Sequence, residues 1–280
     1  MDTTSPSALT LLRAQLDAVD DELLALLVKR AGIVEGVARD GGKAGAKIRA
    51  GREAAILRRL LARDLGVLPP QAVTRFWREI FAASLIVEGG QIVAVCEGEG
   101  DRLALAREHF GPLTPLRRHI NPAQTLADVA KETAQLAVLP PPNEEEAWWP
   151  LLTASGAHRL YVIAKLPFWT KRAEGSPVGE AFVVAAIPPD PSGEDRGLIS
   201  LELPVDVSRT RVATLMKDAG FVAGQTWVQR AAWGIRALVE VEGLVEDDDP
   251  RLSAIAGVEA PPVVIGGFAV PLSSTNDSPA

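Results

Sequence analysis

Apolar residues recur at Leu9, Leu12, Leu16, Val19, Leu23, Leu26, Leu27, Ile33, Val34 and Val37, the 3.6-residue period of one helix face. No proline interrupts the run. Ser5 followed by Pro6 offers a hydroxyl N-cap and a proline at the first helical position. Gly41 and Gly42 supply the stop. The pattern predicts one helix of about 35 residues, about 50 Å long at 1.5 Å per residue. A domain of about 90 residues is too small to cover a helix of that length. The stripe needs a partner along its whole run, and the simplest partner is a second copy of the chain.

Two shorter helices follow. One runs from Gly51 to Arg63 with Ile56, Leu57, Leu60 and Leu61 as its apolar face. Pro69-Pro70 opens the next, with Val73, Phe76, Trp77 and Ile80 inward. The texture changes at Gln91 to short β-branched runs, IVAV at 92–95, LAVL at 136–139, LYVI at 160–163 and FVVA at 182–185. A third stretch begins near Gly197 with LISLEL, passes through a helix from Arg209 to Ala219, and returns to ALVEVEG. Linkers are expected at Glu88–Gln91 and at the proline-rich Pro188–Arg196. This gives a multidomain α+β chain. Residues 1–90 form an all-α three-helix domain, 91–195 a small α/β region, 196–272 a further α+β region and 273–280 a disordered tail.

Composition removes several classes of function. The 280 residues are 47% hydrophobic and 23% charged, as in globular domains. A net charge of −7 argues against a nucleic-acid binder. Cys96 stands alone, and His109, His119 and His158 are far apart, so metal ligation is not expected. No apolar run approaches the ~18 residues of a membrane span. The first residues lack a basic region followed by an apolar core. A cytoplasmic protein without cofactor fits these observations.

Polar residues on apolar lines are the informative exceptions. Arg30 sits on the long stripe between Leu27 and Ile33. A guanidinium there is either paired internally, with Asp20 or Glu53, or faces a cavity that holds an anion. Arg13 flanks the same stripe, where an exposed pair with Asp17 is the plain alternative. Arg52 and Glu53 open the second helix, where surface charge is equally natural. Ser84 and Glu88 extend the apolar line of the third helix, with helix-end fraying before Gly89-Gly90 as the alternative for Glu88. Taken together, three helices point arginines and carboxyls inward. That suits a small dianion with hydroxyl or ether oxygens, handled by positioning and electrostatics.

LLRAQLDAVDDELLALLVKR, REAAILRRLL and RFWREIFAASLIVEG together resemble the all-helical type of chorismate mutase over residues 9–89. The resemblance rests on the L-R-x-x-L-D-x-V-D opening at Leu12–Asp20, on Arg30, on the Arg52-Glu53 pair and on Ser84 with Glu88. It implies an intertwined homodimer of long helices and the Claisen rearrangement of chorismate to prephenate, on the route to phenylalanine and tyrosine. It further implies that Arg13 enters the partner subunit's site to bind one substrate carboxylate, and that Arg30 binds the other. Arg52 would support that end, Glu53 would accept from the substrate hydroxyl, Ser84 would line the pocket and Glu88 would face the ether oxygen. A glutamate helps there only when protonated, so a raised Glu88 pKa is expected.

The family's lysine near the end of the long helix is missing, since its position falls on Gly41, leaving Lys43 and Lys47 as candidates. The acidic residue before the Arg-Glu pair is also missing. The remainder faintly resembles the prephenate dehydratase and ACT regions that follow this mutase in a bifunctional enzyme. Glu180-Ala181-Phe182 stands where that dehydratase carries its T-R-F motif. The stretch from Val138 to Phe182 is too short for a second lobe. These departures favour a mutase whose second half no longer dehydrates prephenate and instead stabilises the dimer, binds a ligand or docks another enzyme. A non-catalytic regulator on the same fold is the alternative, and a working bifunctional enzyme a third.

Overall fold

The computed structural model describes residues 7–41, 47–144, 147–154, 159–232 and 234–273. Helix α1 (Ala8–Gly41) is a single uninterrupted helix. It begins after Ser7, whose hydroxyl accepts from the Thr10 amide at 3.3 Å, and Ser5-Pro6 lie outside the described residues. Helices α2 (Ala50–Leu61) and α3 (Pro70–Val87) complete the first section. The inward face of α3 differs from the expected one. Val73, Thr74, Arg78, Phe81, Ala82 and Leu85 are buried, whereas Phe76 is exposed. Among the described residues α1, α2 and α4 pack against α3, and the side that carries Phe76 stays exposed.

The rest of the chain forms β1 (Val93–Cys96), α4 (Arg102–Phe110), β2 (Leu116–His119), α5 (Pro122–Ala130), β3 (Leu136–Leu139), α6 (Leu151–Ala154), β4 (Tyr161–Leu166), β5 (Ala181–Ala185), β6 (Asp195–Leu203), α7 (Arg209–Asp218), β7 (Ala223–Ala231), β8 (Gly234–Glu242), α8 (Pro250–Ser253) and β9 (Val263–Ala269). Among the described residues one nine-stranded sheet holds all the strands, in the order β2-β1-β3-β5-β4-β9-β6-β8-β7. Strands β2, β1 and β3 are parallel, with α4 and α5 as crossovers. The β3-β5-β4 and β9-β6-β8-β7 neighbours are antiparallel. Every residue of β1, β3 and β5 is buried, which explains their continuous apolar runs.

Arg117, Arg118 and His119 belong to edge strand β2. An edge strand tolerates charge because only one side of it is paired. The two halves of the sheet meet where β9 lies parallel to β4, at Val162 and Gly266. Gly266 has a φ of 116°, and a Cβ there would lie 2.2 Å from the Val162 carbonyl oxygen. Only glycine fits that approach. Trp148 and Trp149 are core residues, and Cys96 is buried. Phe182 is fully buried among Trp148, Trp227 and Phe268.

The helical section is docked on the sheet through α2. Ala54, Leu57 and Phe81 pack with Phe168 and Ala269. The Arg58 guanidinium donates to the Ser192 hydroxyl at 2.7 Å and to the Val270 carbonyl at 2.7 Å. The segment Pro188–Arg196, which composition marks as a linker, is therefore an adhesive surface rather than slack chain. No described helix is long and apolar enough to cross a membrane. No described cluster of His, Cys, Asp or Glu is arranged to hold a metal ion.

Candidate active site

The site is assembled by the C-terminal third of α1, the last turn of α3 and the first turn of α2. Arg30, half-buried on α1, donates to the Ser84 hydroxyl, which in turn donates to the Ile80 carbonyl at 2.6 Å. The Ser84 bond to its own helix fixes the hydroxyl so that its lone pairs face the guanidinium. The Arg30 guanidinium also lies 5.9 Å from the Phe81 ring centroid. Desolvation lowers its pKa, Glu53 opposes that, and Arg52 adds to it, so these residues share one electrostatic neighbourhood. Glu88 belongs to it too. Burial raises the Glu88 carboxyl above the ordinary glutamate value, while Lys47 and Arg30 pull it down. Lys47 donates to the Glu88 main-chain carbonyl, so a lysine stands at the C-terminal end of α3 although position 41 is glycine. Lys43 lies outside the described residues.

Glu53 is buried, and its carboxyl is pushed up to about 7, mainly by loss of solvent, with Arg78 pulling it down. Its Oε2 accepts from Arg78 Nη1 at 2.8 Å. Arg78 was not legible as a site residue because it sits among charged neighbours on α3, in the sequence TRFWRE. In the fold it is 7% exposed and stacks against Phe81 and Phe168 at 5.9 and 5.1 Å. It also lowers the pKa of buried His109, after desolvation.

The first turn of α2 has an unusual cap. Arg49 at the N-cap makes no side-chain capping bond. Asp190 supplies the bonds instead, its two oxygens accepting from the Gly51 and Arg52 amides, each at 3.0 Å. Arg49 Nε lies 3.4 Å from the same carboxylate. A carboxylate at a helix N-terminus satisfies free amides and complements the dipole. Gly51 makes this possible, since a Cβ there would lie 1.9 Å from the Asp190 carbonyl oxygen. The acid missing from the local sequence thus arrives from the sheet region. Asp190 also raises the Glu53 pKa, so it is electrically part of the site.

Arg30, Arg52, Glu53, Ser84 and Glu88 are thus brought together. Arg13 is not. It is exposed, with no described acid paired to it, and lies 17 residues before Arg30 on the same helix, about 25 Å away along the axis. The stretch of α1 between them is uncovered, with Leu16, Leu23 and Leu26 more than half exposed.

The model of the family "Chorismate mutase type II" matches residues 12–89. Over that segment the chain is similar to the type II chorismate mutase family. Two curated relatives carry the name bifunctional chorismate mutase/prephenate dehydratase. The one from Pseudomonas aeruginosa is 30% identical over 142 residues, covering 48% of this chain and 39% of that one. The one from Neisseria gonorrhoeae is 33% identical over 135 residues, covering 47% and 36%. The match therefore spans well under half the length of these relatives. Both alignments are longer than the mutase segment and its preceding residues, so each includes part of the sheet region. A solved structure described as a novel type of quorum quenching acylase, GqqA, aligns at a TM-score of 0.48 and 17% identity, covering 67% of this chain and 98% of that one.

Proposed function

We propose that the chain is a homodimeric chorismate mutase that converts chorismate to prephenate, with no covalent intermediate and no dehydration of the product. The observation that carries this reading is the cluster of Arg30, Ser84, Glu88 and Lys47 at one end of the mutase segment, with Arg52 and Glu53 beside it. In the rearrangement the ether C–O bond breaks as a C–C bond forms, and negative charge grows on the ether oxygen. Arg30, held by Ser84, binds a substrate carboxylate. Arg52 adds positive charge to that end, and Glu53 accepts from the substrate hydroxyl. Glu88, whose protonated form burial favours, donates to the ether oxygen when it carries its proton. Lys47, beside Glu88, takes the part of the lysine absent at Gly41. Such donors stabilise charge that exists only in the transition state, each worth about 10²–10³ in rate.

Two features favour a dimer. The exposed leucines of α1 need a cover along about 50 Å, and Arg13 reaches a site only if a second copy brings its own α1 alongside. Against dehydration, Glu180 is paired with Lys165 at 3.1 Å, Phe182 is buried in the aromatic core, and a single sheet leaves no second lobe among the described residues.

The test is chorismate consumption across pH 5–9 with prephenate and phenylpyruvate both quantified. Prephenate alone is expected, with Arg30→Ala reducing kcat/KM by about 10²–10³ or more. No chorismate loss at any pH would overturn the mutase reading in favour of a regulator on the same fold. Phenylpyruvate in proportion to prephenate would overturn the loss of dehydration.

A further inference from the structure

Arg78 has two faces. One meets Glu53, and the other lines a separate cavity of about 360 Å³ between α3, α4 and the chain that follows β4. The volume falls within the range of small-molecule sites. Leu105, Leu166, Phe168 and Trp169 give the cavity an apolar side. Arg75, Arg78, Lys171 and Arg172 give it four cations, against the two acids Glu108 and Glu174. Arg172 is paired with Glu108 at 2.9 Å and Arg78 with Glu53 at 2.8 Å, which leaves Arg75 and Lys171 against Glu174. Positive charge is therefore in excess.

Trp169 Nε1 and Arg172 Nε, on two lining residues, are buried and have no hydrogen-bond partner among the described residues. Buried donors are rarely left unmatched, but these two sit within the cavity wall and do not open onto it. An apolar wall and surplus cations together describe the complement of a flat apolar body carrying a carboxylate.

We propose that this cavity binds a small aromatic or similarly flat carboxylate, and that Arg78 couples its occupancy to Glu53. A ligand carboxylate and the Glu53 carboxylate compete for one guanidinium. Occupancy loosens the Glu53–Arg78 pair, and by reciprocity loosening that pair strengthens the ligand's hold. The cavity shares no lining residue with Arg30, Ser84 or Glu88, so its occupant and chorismate do not exclude each other.

Isothermal titration of the full chain with benzoate as probe, and with benzamide as its neutral counterpart, tests this without reference to turnover. Failure of the mutase reading would leave the result unaffected. One benzoate per chain is expected to bind, with benzamide about tenfold weaker or absent. Arg75→Ala and Lys171→Ala alter exposed residues that the fold does not need, and each is expected to weaken benzoate about fivefold. Glu53→Gln, which removes the competing charge and keeps the side-chain shape, is expected to tighten it by a similar factor. No binding up to about 20 mM benzoate, a weaker interaction than any useful site provides, would overturn the proposal. So would indifference to Arg75→Ala and Lys171→Ala, or loss of binding in Arg30→Ala, which would place benzoate in the mutase site. Unchanged affinity in Glu53→Gln would overturn the coupling.

Discussion

The strands β1, β3 and β5 and the helix α1 are both rich in apolar residues, yet they end in opposite situations. The strand residues are fully covered by the chain's own helices and neighbouring strands. Leu9, Leu12, Leu16, Leu23 and Leu26 on α1 are each more than half exposed. Hydrophobic burial drives folding at about 25 cal/mol per Å², so the sheet holds most of what it needs and α1 does not. Exposed apolar stretches of this extent mark an interface. The sheet is the self-sufficient half of the molecule, and it is α1 that the proposed dimer would cover.

The sharpest way to break that contrast is to make α1 unfit for a partner. Leu16→Glu with Leu23→Glu is expected to convert a species of twice 29.7 kDa into one of 29.7 kDa by light scattering. Turnover should fall by about 10²–10³ or more as Arg13 is lost from the site, with the β-sheet circular dichroism retained. A variant that stays dimeric would show that α1 is covered in another way.

A smaller effect is expected where the two halves touch. Asp190→Ala removes the cap of α2, at a cost of about 1–2 kcal/mol, and should lower kcat/KM about tenfold by loosening Arg52 and Glu53. Asp190→Asn, which keeps one acceptor, should restore part of both losses. Equal effects of the two substitutions would reduce Asp190 to a packing role.

Two further effects depend on protonation. Glu88 is held above its ordinary pKa by burial, and its neutral form is the donor. Activity should therefore be highest at low pH and decline as pH rises through the raised pKa, and Glu88→Gln should flatten that limb. A decline that persists unchanged in Glu88→Gln would assign it elsewhere. Glu53, at about 7 in the fold against 4.5 when free, binds its proton more tightly in the folded state. Its contribution to stability is present below about pH 4.5 and is lost as pH rises toward 7. The difference between wild type and Glu53→Gln in urea denaturation should change by up to about 3 kcal/mol across that window.

Legibility in the sequence followed the range of the forces involved. The long helix could be read because its period repeats over about eight turns, and β1, β3 and β5 because buried strands are uniformly apolar. Arg30 stood out because it breaks a stripe. Arg78 did not, because Thr74, Arg75 and Glu79 surround it in sequence and only the fold buries it. The orientation of α3 was misjudged at Phe76, since two apolar faces compete on that helix and the sheet region decides between them. Strand β2 was hidden by its charges, because an edge strand is specified by its neighbour's hydrogen bonds more than by its own side chains. Asp190 was beyond reach for the same reason, since nothing in its local sequence, PPDPSG, refers to a helix start far upstream.

The distance between Asp190 and the amides it caps, 139 and 138 positions, also sets an order of events during synthesis. At about 5–20 residues per second, the ribosome delivers Asp190 between about 7 and 28 s after Gly51. Throughout that interval the first turn of α2 has its arginine and glutamate but no cap. The nascent helical segment is then a chain waiting for its own downstream half, and the cap of α2 can form only after five of the nine strands have been made.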